Sequence, residues 1–307
     1  MENLLKKVQI IQFIIIISFF ILSNTKKEEH ILNKNTKYYH FLLNIVKYNS
    51  ITKKFVKKNN KGVQYIDKYK LLLENNEYFY IFYNNNVYVY LFKEIGAQEH
   101  IIYFNGINNI NDIKIIINTI LDVINSNFNF NHIEKLLNKK GLLYKIEKNN
   151  VTIIDNKYSI LEVFDYLYNN TYIFDETTHT ENKINLKING FSLGGPISQL
   201  FTLILVDKYD EKLNIDVYNV ESWFGGSKEI YEKMNNKVNI FNIYSEKSVF
   251  YFFNIFFQKY FKSNYLINDN EEEYVENKIL LEYHTQIFPV GIIKYVIDNH
   301  LLSKILK

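Results

Sequence analysis

The 307-residue sequence contains no cysteine and no arginine, and its one alanine is Ala97. Without cysteine the chain has no disulfide bond, no thiol nucleophile and no cysteine ligand for zinc. Without arginine it lacks the planar guanidinium group that binds phosphate or carboxylate through two parallel hydrogen bonds. These absences exclude thiol catalysis, cysteine-type zinc sites and arginine-based anion clamps.

The charge balance excludes a second group of functions. Lysine supplies all 36 basic residues, which stand against 33 acidic residues and leave a net charge of only +3. A dedicated nucleic-acid-binding protein needs a concentrated basic surface, so we expect no nucleic-acid partner. The seven histidines show no H-E-x-x-H or similar spacing, and we therefore predict neither a metal nor an organic cofactor.

The first 25 residues have the pattern of a targeting segment. Lys6 and Lys7 precede an apolar run, Val8–Leu22, which a short polar stretch follows. Fifteen mostly apolar residues are typical of a secretory signal and are short for a bilayer-spanning helix. We expect residues 1–25 to be a signal peptide or an N-terminal membrane anchor, with a buried helix as the third possibility. The protein is then secreted, or membrane-associated through Val8–Leu22.

The remaining sequence, residues 26–307, shows no linker and no internal repeat, and we predict one domain. Hydrophobic residues make up 47% of the chain and charged residues 22%, which is enough apolar material for a sizeable core. Apolar periodicity predicts alternating elements: helices over residues 38–58, 113–124, 159–167 and 197–206, a hairpin over 78–91, and strands over 100–104, 184–188, 217–220 and 238–244. This order predicts an α/β fold with a mostly parallel central sheet and helices on both faces.

Glycine and proline are scarce, with ten and two residues, so a cluster of them is informative. Residues 190–195 read Gly-Phe-Ser-Leu-Gly-Gly, between the strand predicted to end at Asn189 and the helix predicted near Pro196. This is the G-x-S-x-G pattern in a strand–turn–helix context, where a serine nucleophile stands on a sharp turn. The pattern indicates Ser192 as the nucleophile and Gly190, Gly194 and Gly195 as the elbow glycines. The alternative is that Ser192 only caps the helix.

These residues resemble the class 3 (fungal-type) lipases of the α/β-hydrolase superfamily, whose elbow reads G-H-S-L-G-G. Phe191 stands where that family usually has histidine. A second similarity lies upstream, where Phe104-Asn105-Gly106-Ile107, followed by Asp112, matches the family's F-R-G-T and later Asp. The resemblance implies an oxyanion hole formed by the backbone N–H groups of Leu193 and Ile107. Because Ile107 has no hydroxyl, a side-chain donor usual at that position is lost.

The resemblance also implies a triad acid and a base downstream of Ser192. In the family the acid follows the second strand after the elbow, where this chain reads Ser245-Glu246-Lys247-Ser248-Val249. Strict alignment puts Lys247 on the family's Asp, so Glu246 is the predicted acid if the loop shifts by one residue. Glu221, after the preceding strand, is the second choice.

The catalytic base has two candidates, because in this superfamily the histidine follows the acid. His300 lies near the C-terminus before an apolar stretch, as the family's catalytic histidine does, and it is the predicted base. His284 is the alternative.

Together these features predict a lipase, a carboxylic ester hydrolase that acts on triacylglycerol-type lipid esters at a lipid–water interface. The alternative is a catalytically inactive protein of lipase fold that serves as a lipid-binding or structural module. Phe191, Ile107 and Lys247, the three departures from the family pattern, favour that alternative.

Overall fold

A computed structural model describes residues 76–84, 86–106, 130–147, 150–170, 183–209, 212–222, 228–245 and 264–267. The chain divides into two compact units, of which Asn44–Asn242 is one, and Met1–Leu43 with Ile243–Lys307 is the other. The described part of the second unit is residues 243–245, which end strand β8 (Asn239–Ser245), and strand β9 (Asn264–Ile267). The first unit contains the described helices and Ser192.

The first two described strands in chain order form the predicted hairpin, and this prediction is confirmed. Strands β1 (Asn76–Tyr83) and β2 (Tyr88–Glu94) pair antiparallel. Asn84 shapes the connection between them, because its Oδ1 accepts a hydrogen bond from the Val87 N–H at 2.9 Å. Its Nδ2 donates to the Leu136 carbonyl oxygen at 3.0 Å and so ties the turn to a later helix. A buried asparagine with both ends of its amide bonded is a stable turn residue.

Parallel strands follow where the sequence predicts helical connections. Strand β3 (His100–Phe104) pairs parallel with β6 (Ile184–Phe191), and β6 pairs parallel with β7 (Leu213–Val220). Helix α2 (Ile160–Asn170) precedes β6, and helix α3 (Gly194–Tyr209) joins β6 to β7. Helix α4 (Lys228–Asn235) then leads to β8 (Asn239–Ser245). The predicted α/β fold is therefore confirmed.

The sheet is mixed, because antiparallel strands extend it on one side of the parallel strands β3, β6 and β7. Helix α1 (Asn131–Leu137) and the antiparallel strands β4 (Gly141–Glu147) and β5 (Asn150–Tyr158) occupy a stretch in which the sequence pattern predicts no element. The strands of this unit run in the order β5-β4-β1-β2-β3-β6-β7-β8. Strands β1 and β2, β2 and β3, and β4 and β5 follow each other through short turns and pair antiparallel, whereas β6 and β7, which helix α3 joins, pair parallel.

Helix α3 forms the centre of the core. It packs against β3, β6 and β7, and helix α1 packs against it. Its Phe201 is fully buried, with its ring centroid 5.1 Å from that of Phe104 and 5.8 Å from that of Phe164. Full burial of such a side chain contributes about 1.5–3 kcal/mol. The helix that follows the predicted nucleophile is therefore held firmly against the strands.

Helix α2 begins with a capping box. The Ser159 N–H donates to Glu162 Oε2 at 2.5 Å, and the Glu162 N–H donates to Ser159 Oγ at 3.4 Å. Lys140 also binds both carboxylate oxygens of Glu162. These hydrogen bonds, first from Lys140 and then from the Ser159 backbone, lower the pKa of Glu162 to about 2. The reciprocal bonds satisfy two N–H groups that a helix start otherwise leaves open.

Three predicted segments lie outside the described residues: the targeting segment Val8–Leu22 and the helices over residues 38–58 and 113–124. The prediction of one domain over residues 26–307 and the prediction of export both stay predictions. Of the helices that the structure describes, none is both long and apolar enough to cross a membrane.

Candidate active site

Ser192 lies in a sharp turn between a strand and a helix. Strand β6 ends at Phe191 and helix α3 begins at Gly194, so only Ser192 and Leu193 separate the two elements. The Ser192 backbone has φ 55°, in the left-handed region that costs a non-glycine residue energy. Its N–H donates to the Val220 carbonyl oxygen at 3.0 Å, and its carbonyl oxygen accepts the Gly195 N–H at 2.9 Å. The strand–turn–helix context predicted for the elbow is thus present, in the form typical of an α/β-hydrolase sheet.

The elbow glycines are required for close approach rather than for unusual backbone angles, since Ser192 itself adopts the positive φ. A Cβ atom on Gly190 would lie 2.5 Å from the Gly194 carbonyl oxygen, and one on Gly194 would lie 2.2 Å from the Phe104 carbonyl oxygen. A Cβ on Gly195 would lie 1.8 Å from Ser222 Oγ. Because backbone atoms cannot yield as a flexible side chain can, Gly190 and Gly194 hold helix α3 tightly against β3 and β6.

The Ser192 hydroxyl is fully buried, and within the described ranges its Oγ makes no hydrogen bond. A serine that caps a helix accepts a hydrogen bond from an N–H of the first turn. Here the Gly195 N–H binds the Ser192 carbonyl oxygen instead. Among the described contacts, Ser192 Oγ therefore does not accept the hydrogen bond that a helix-capping serine makes. The hydroxyl is available for another partner.

The turn after β3 lies directly beside the elbow. A Cβ atom on Gly106 would lie 3.0 Å from Ser192 Cβ. Asn105 fixes this turn, because its Oδ1 accepts the Gly106 N–H at 2.7 Å and its own N–H donates to the Tyr88 carbonyl oxygen at 2.9 Å. The turn after β3 and the elbow, the two segments that would form the oxyanion hole according to the resemblance, thus lie next to each other.

The structure describes only one of the two predicted oxyanion donors. Leu193 is buried, and among the described residues its N–H has no hydrogen-bond acceptor. Ile107 follows Gly106 and lies outside the described residues. Phe191, the substitution for the family's histidine, is buried, and its Cδ1 lies 3.2 Å from the position of a Gly106 Cβ. The phenylalanine ring therefore packs beside the predicted oxyanion turn.

The predicted base and acid lie outside the described residues, namely His300, its alternative His284, and Glu246. Their assignment stays a prediction. Glu221, the second choice for the acid, is described: it directly follows β7, is fully buried and has φ 48°.

Two residues contribute to the site through contacts that the sequence does not predict. Ser222 Oγ donates a hydrogen bond to the Ser192 carbonyl oxygen at 2.8 Å and so supports the elbow from the end of β7. Asn105 orders the turn beside Ser192 through its side chain. Neither residue type marks a site by itself, and only the three-dimensional arrangement gives these two residues their contacts.

Within the described ranges no three His, Asp or Glu side chains come together in a metal-binding cluster.

No protein-family model matches this chain, and no curated protein does. Among solved structures it is similar to lipases. The lipase of Rhizopus microsporus var. chinensis shares 11% identity over 74% of this chain and 78% of its own, with a TM-score of 0.40. Lip2 lipase of Yarrowia lipolytica shares 16% identity over 80% and 82%, with a TM-score of 0.38. M37 lipase shares 19% identity over 60% of this chain, with a TM-score of 0.35, and only 59% of that lipase is covered.

Proposed function

We propose that this protein is a serine hydrolase that cleaves carboxylic esters, with triacylglycerol-type lipid esters as its substrate class. One observation carries the proposal: Ser192 is held in a left-handed conformation between β6 and α3, and its Oγ makes no hydrogen bond among the described residues. Backbone strain of this kind persists only where the surroundings impose it, and it concentrates at functional sites. The adjacent Gly106 turn supports the same conclusion.

The reaction proceeds through an acyl-enzyme. Ser192 Oγ attacks the ester carbonyl carbon while the base, His300 or alternatively His284, takes the hydroxyl proton. The negative charge that develops on the carbonyl oxygen is met by the N–H groups of Leu193 and Ile107. The imidazolium returns its proton to the leaving alcohol. Water then repeats the sequence on the acyl-enzyme and releases the fatty acid. A carboxylate, for which the sequence offers Glu246 and Glu221, holds the imidazole in the required tautomer.

The choice of lipid esters rests on the sequence around the nucleophile. The Gly-Phe-Ser-Leu-Gly-Gly elbow resembles that of the class 3 lipases, and the apolar Phe191 and Leu193 flank Ser192. A lipid ester is presented at a lipid–water interface, so the proposal includes action at such an interface. Export, or membrane association through Val8–Leu22, would bring the protein there.

The test is hydrolysis of p-nitrophenyl butyrate and of a tributyrin emulsion by the wild type and by two variants. Ser192→Ala should abolish both activities, because loss of the nucleophile of a working triad costs about 10⁶ in kcat. Thr202→Ala is the matched control: it removes a buried hydroxyl from helix α3, which follows Ser192, and that hydroxyl donates to the Ser198 carbonyl oxygen at 2.7 Å. This control should retain its kcat within about threefold, since it reaches no reacting atom.

The inactive lipid-binding alternative gives a different result. It predicts that pure wild-type protein hydrolyses neither ester yet sediments with phosphatidylcholine vesicles. Activity in the wild type that survives in Ser192→Ala would contradict the proposed nucleophile.

A further inference from the structure

Ser222 is a buried serine whose hydroxyl binds the backbone of the proposed nucleophile. It lies two residues after the end of β7, and its exposed fraction is 0%. Its Oγ donates a hydrogen bond to the Ser192 carbonyl oxygen at 2.8 Å, although 30 residues of sequence separate the two serines. Strands β6 and β7 pair parallel as far as Phe191 and Val220, so the ends of the strands lie side by side and bring the serines together.

The carbonyl group that Ser222 binds belongs to the peptide unit between Ser192 and Leu193. The N–H of this same unit is the Leu193 N–H, the predicted oxyanion donor. A peptide unit is planar and almost always trans, so its C=O and its N–H point in opposite directions. A group that fixes the direction of the Ser192 carbonyl therefore also fixes the direction of the Leu193 N–H.

Two hydrogen bonds hold this carbonyl oxygen. One comes from the Gly195 N–H at 2.9 Å and the other from Ser222 Oγ at 2.8 Å. The Gly195 bond lies within the elbow, whereas the Ser222 bond ties the elbow to the end of a different strand. The Ser192 backbone has φ 55°, a conformation that persists in a serine only where neighbouring groups impose it. The Ser222 hydroxyl is one of these groups.

Gly195 leaves the space that the Ser222 side chain occupies. A Cβ atom on Gly195 would lie 1.8 Å from Ser222 Oγ and 2.5 Å from Ser222 Cβ. A side chain at position 195 would therefore displace the hydroxyl from the Ser192 carbonyl. The third glycine of the elbow thus has a physical role, because it lets Ser222 approach the peptide unit that carries the oxyanion donor.

We infer that Ser222 is a positioning residue for ester hydrolysis: its hydroxyl holds the peptide unit after Ser192 so that the Leu193 N–H points at the developing oxyanion. The inference rests on the proposed function of Ser192. When Ser192 Oγ bonds to the ester carbon, one electron pair of the carbonyl double bond moves to its oxygen, and the hydroxyl proton passes to the base. A donor stabilises that oxygen most when its direction is fixed before the reaction. Ser222 acts through the Ser192 backbone and not on the ester itself.

The test compares Ser222→Ala with Ser198→Ala, a matched pair. Ser198 is also fully buried, and its Oγ donates to the Gly195 carbonyl oxygen at 2.7 Å. Each variant thus loses one buried hydroxyl that binds one backbone carbonyl. The peptide unit after Gly195 contains the nitrogen of Pro196, which carries no hydrogen. Ser198→Ala therefore removes a comparable hydrogen bond from a peptide unit that has no N–H to direct.

Ser222→Ala should slow the reaction without weakening substrate binding. Hydrolysis of p-nitrophenyl butyrate by the full-length variant should lose between about tenfold and 10² in kcat, with KM little changed, because complete loss of an oxyanion donor costs about 10²–10³ and the Gly195 bond still holds the carbonyl. Ser198→Ala should keep its kcat within about threefold. A circular dichroism spectrum of each variant verifies its fold.

A trifluoromethyl ketone gives a second readout. Addition of Ser192 Oγ to its carbonyl carbon forms an adduct with the same negative oxygen as the transition state, so its affinity reports stabilisation of the oxyanion. Its inhibition constant should rise in Ser222→Ala by about the factor by which kcat falls, and it should stay near the wild-type value in Ser198→Ala.

The remaining outcomes separate this inference from the proposed function. A Ser222→Ala kcat within about threefold of the wild type, beside an inactive Ser192→Ala, overturns the inference and leaves Ser192 as the nucleophile. Equal losses in Ser222→Ala and Ser198→Ala also overturn it, since any lost buried hydrogen bond would then have the same effect. If Ser192→Ala stays active, the nucleophile and the role of Ser222 fall together.

A second variant decides the question where Ser222→Ala does not fold. Ser222→Cys keeps a group at the same position, and its thiol is a weaker hydrogen-bond donor than a hydroxyl. A lower kcat with an unchanged KM in Ser222→Cys supports the role of Ser222, and a wild-type kcat overturns it. Thr202→Ala serves as the control where Ser198→Ala does not fold.

Discussion

Gly106 lies against Ser192, so closely that a Cβ atom on Gly106 would stand 3.0 Å from Ser192 Cβ and 3.0 Å from the Phe191 carbonyl oxygen. Gly106 closely follows the end of β3, and Ser192 follows the end of β6, the strand paired with it. This contact fixes the distance between the predicted nucleophile and the turn that leads to Ile107. It also makes the geometry of the site sensitive to a single methyl group.

Gly106→Ala should therefore lower kcat while leaving a folded protein. The added Cβ has to move the turn away by a few tenths of an ångström, which displaces the Ile107 N–H from the developing oxyanion. Complete loss of one such donor costs about 10²–10³ in kcat, so a decrease between about tenfold and 10² is expected. Steady-state hydrolysis of p-nitrophenyl butyrate measures it.

Gly96→Ala is the control for this prediction. Gly96 has φ +78°, and nothing lies within 4 Å of its Cβ position. Alanine there costs about 1–2 kcal/mol of stability for its left-handed backbone, with no route to the site. Unchanged kcat in a folded Gly106→Ala variant would contradict the account of the turn.

The elbow could be predicted from the sequence because it depends on rare residues in a local pattern. Three of the ten glycines stand within residues 190–195, between an alternating apolar strand and an apolar helix. Strand β3 and the hairpin of β1 and β2 were likewise predictable, because short β-branched and aromatic runs stand beside asparagines in the hairpin turn and after β3. In each case the signal lies within about fifteen consecutive residues.

The parts that escaped prediction depend on contacts between distant segments. Strands β4 and β5 join the sheet beside β1, and their pairing with it is non-local. The burial of Glu221 and the bond from Ser222 to Ser192 arise only when β7 lies beside β6. Periodicity within one segment carries no information on which neighbour covers it. The order of the strands thus decides which polar side chains become part of the site.

His300→Ala should reduce hydrolysis as severely as Ser192→Ala, and the double variant should be no worse than either single one. The members of a triad act as one unit, so their losses do not add. His284→Ala should cost far less and change mainly stability or KM. Measured kcat/KM values for the four proteins test this. An inactive His284→Ala beside an active His300→Ala would exchange their roles.

The capping box predicts a pH-dependent contribution to stability. The hydrogen bonds from Lys140 and from the Ser159 backbone lower the pKa of Glu162 from 4.5 to about 2. A lowered folded-state pKa means that the stabilisation is complete above the unfolded value and is lost as the pH falls from 4.5 towards 2. Because the Glu162 side chain is 45% exposed, solvent limits the effect to below about 1 kcal/mol.

Urea unfolding should therefore show that the wild type has a higher free energy of unfolding than Glu162→Gln at pH 7. This difference should be smaller at pH 3. Ser159→Ala should lower the free energy of unfolding at pH 7 by about 0.5–2 kcal/mol, the usual contribution of a helix cap. If the difference in the free energy of unfolding between the wild type and Glu162→Gln is the same at pH 7 and at pH 3, the carboxylate charge contributes nothing to the cap.

The most direct test of the central claim is fluorophosphonate labelling of the purified full-length protein, followed by intact mass measurement and peptide mapping. Such a reagent phosphonylates a serine that a nearby base has activated, whatever ester the enzyme prefers. We predict one adduct per chain, on the peptide that contains Ser192, and no adduct on Ser192→Ala under the same conditions. A folded wild-type protein that takes up no label, or a Ser192→Ala variant that is labelled to the same extent, would contradict the assignment of Ser192 as the nucleophile.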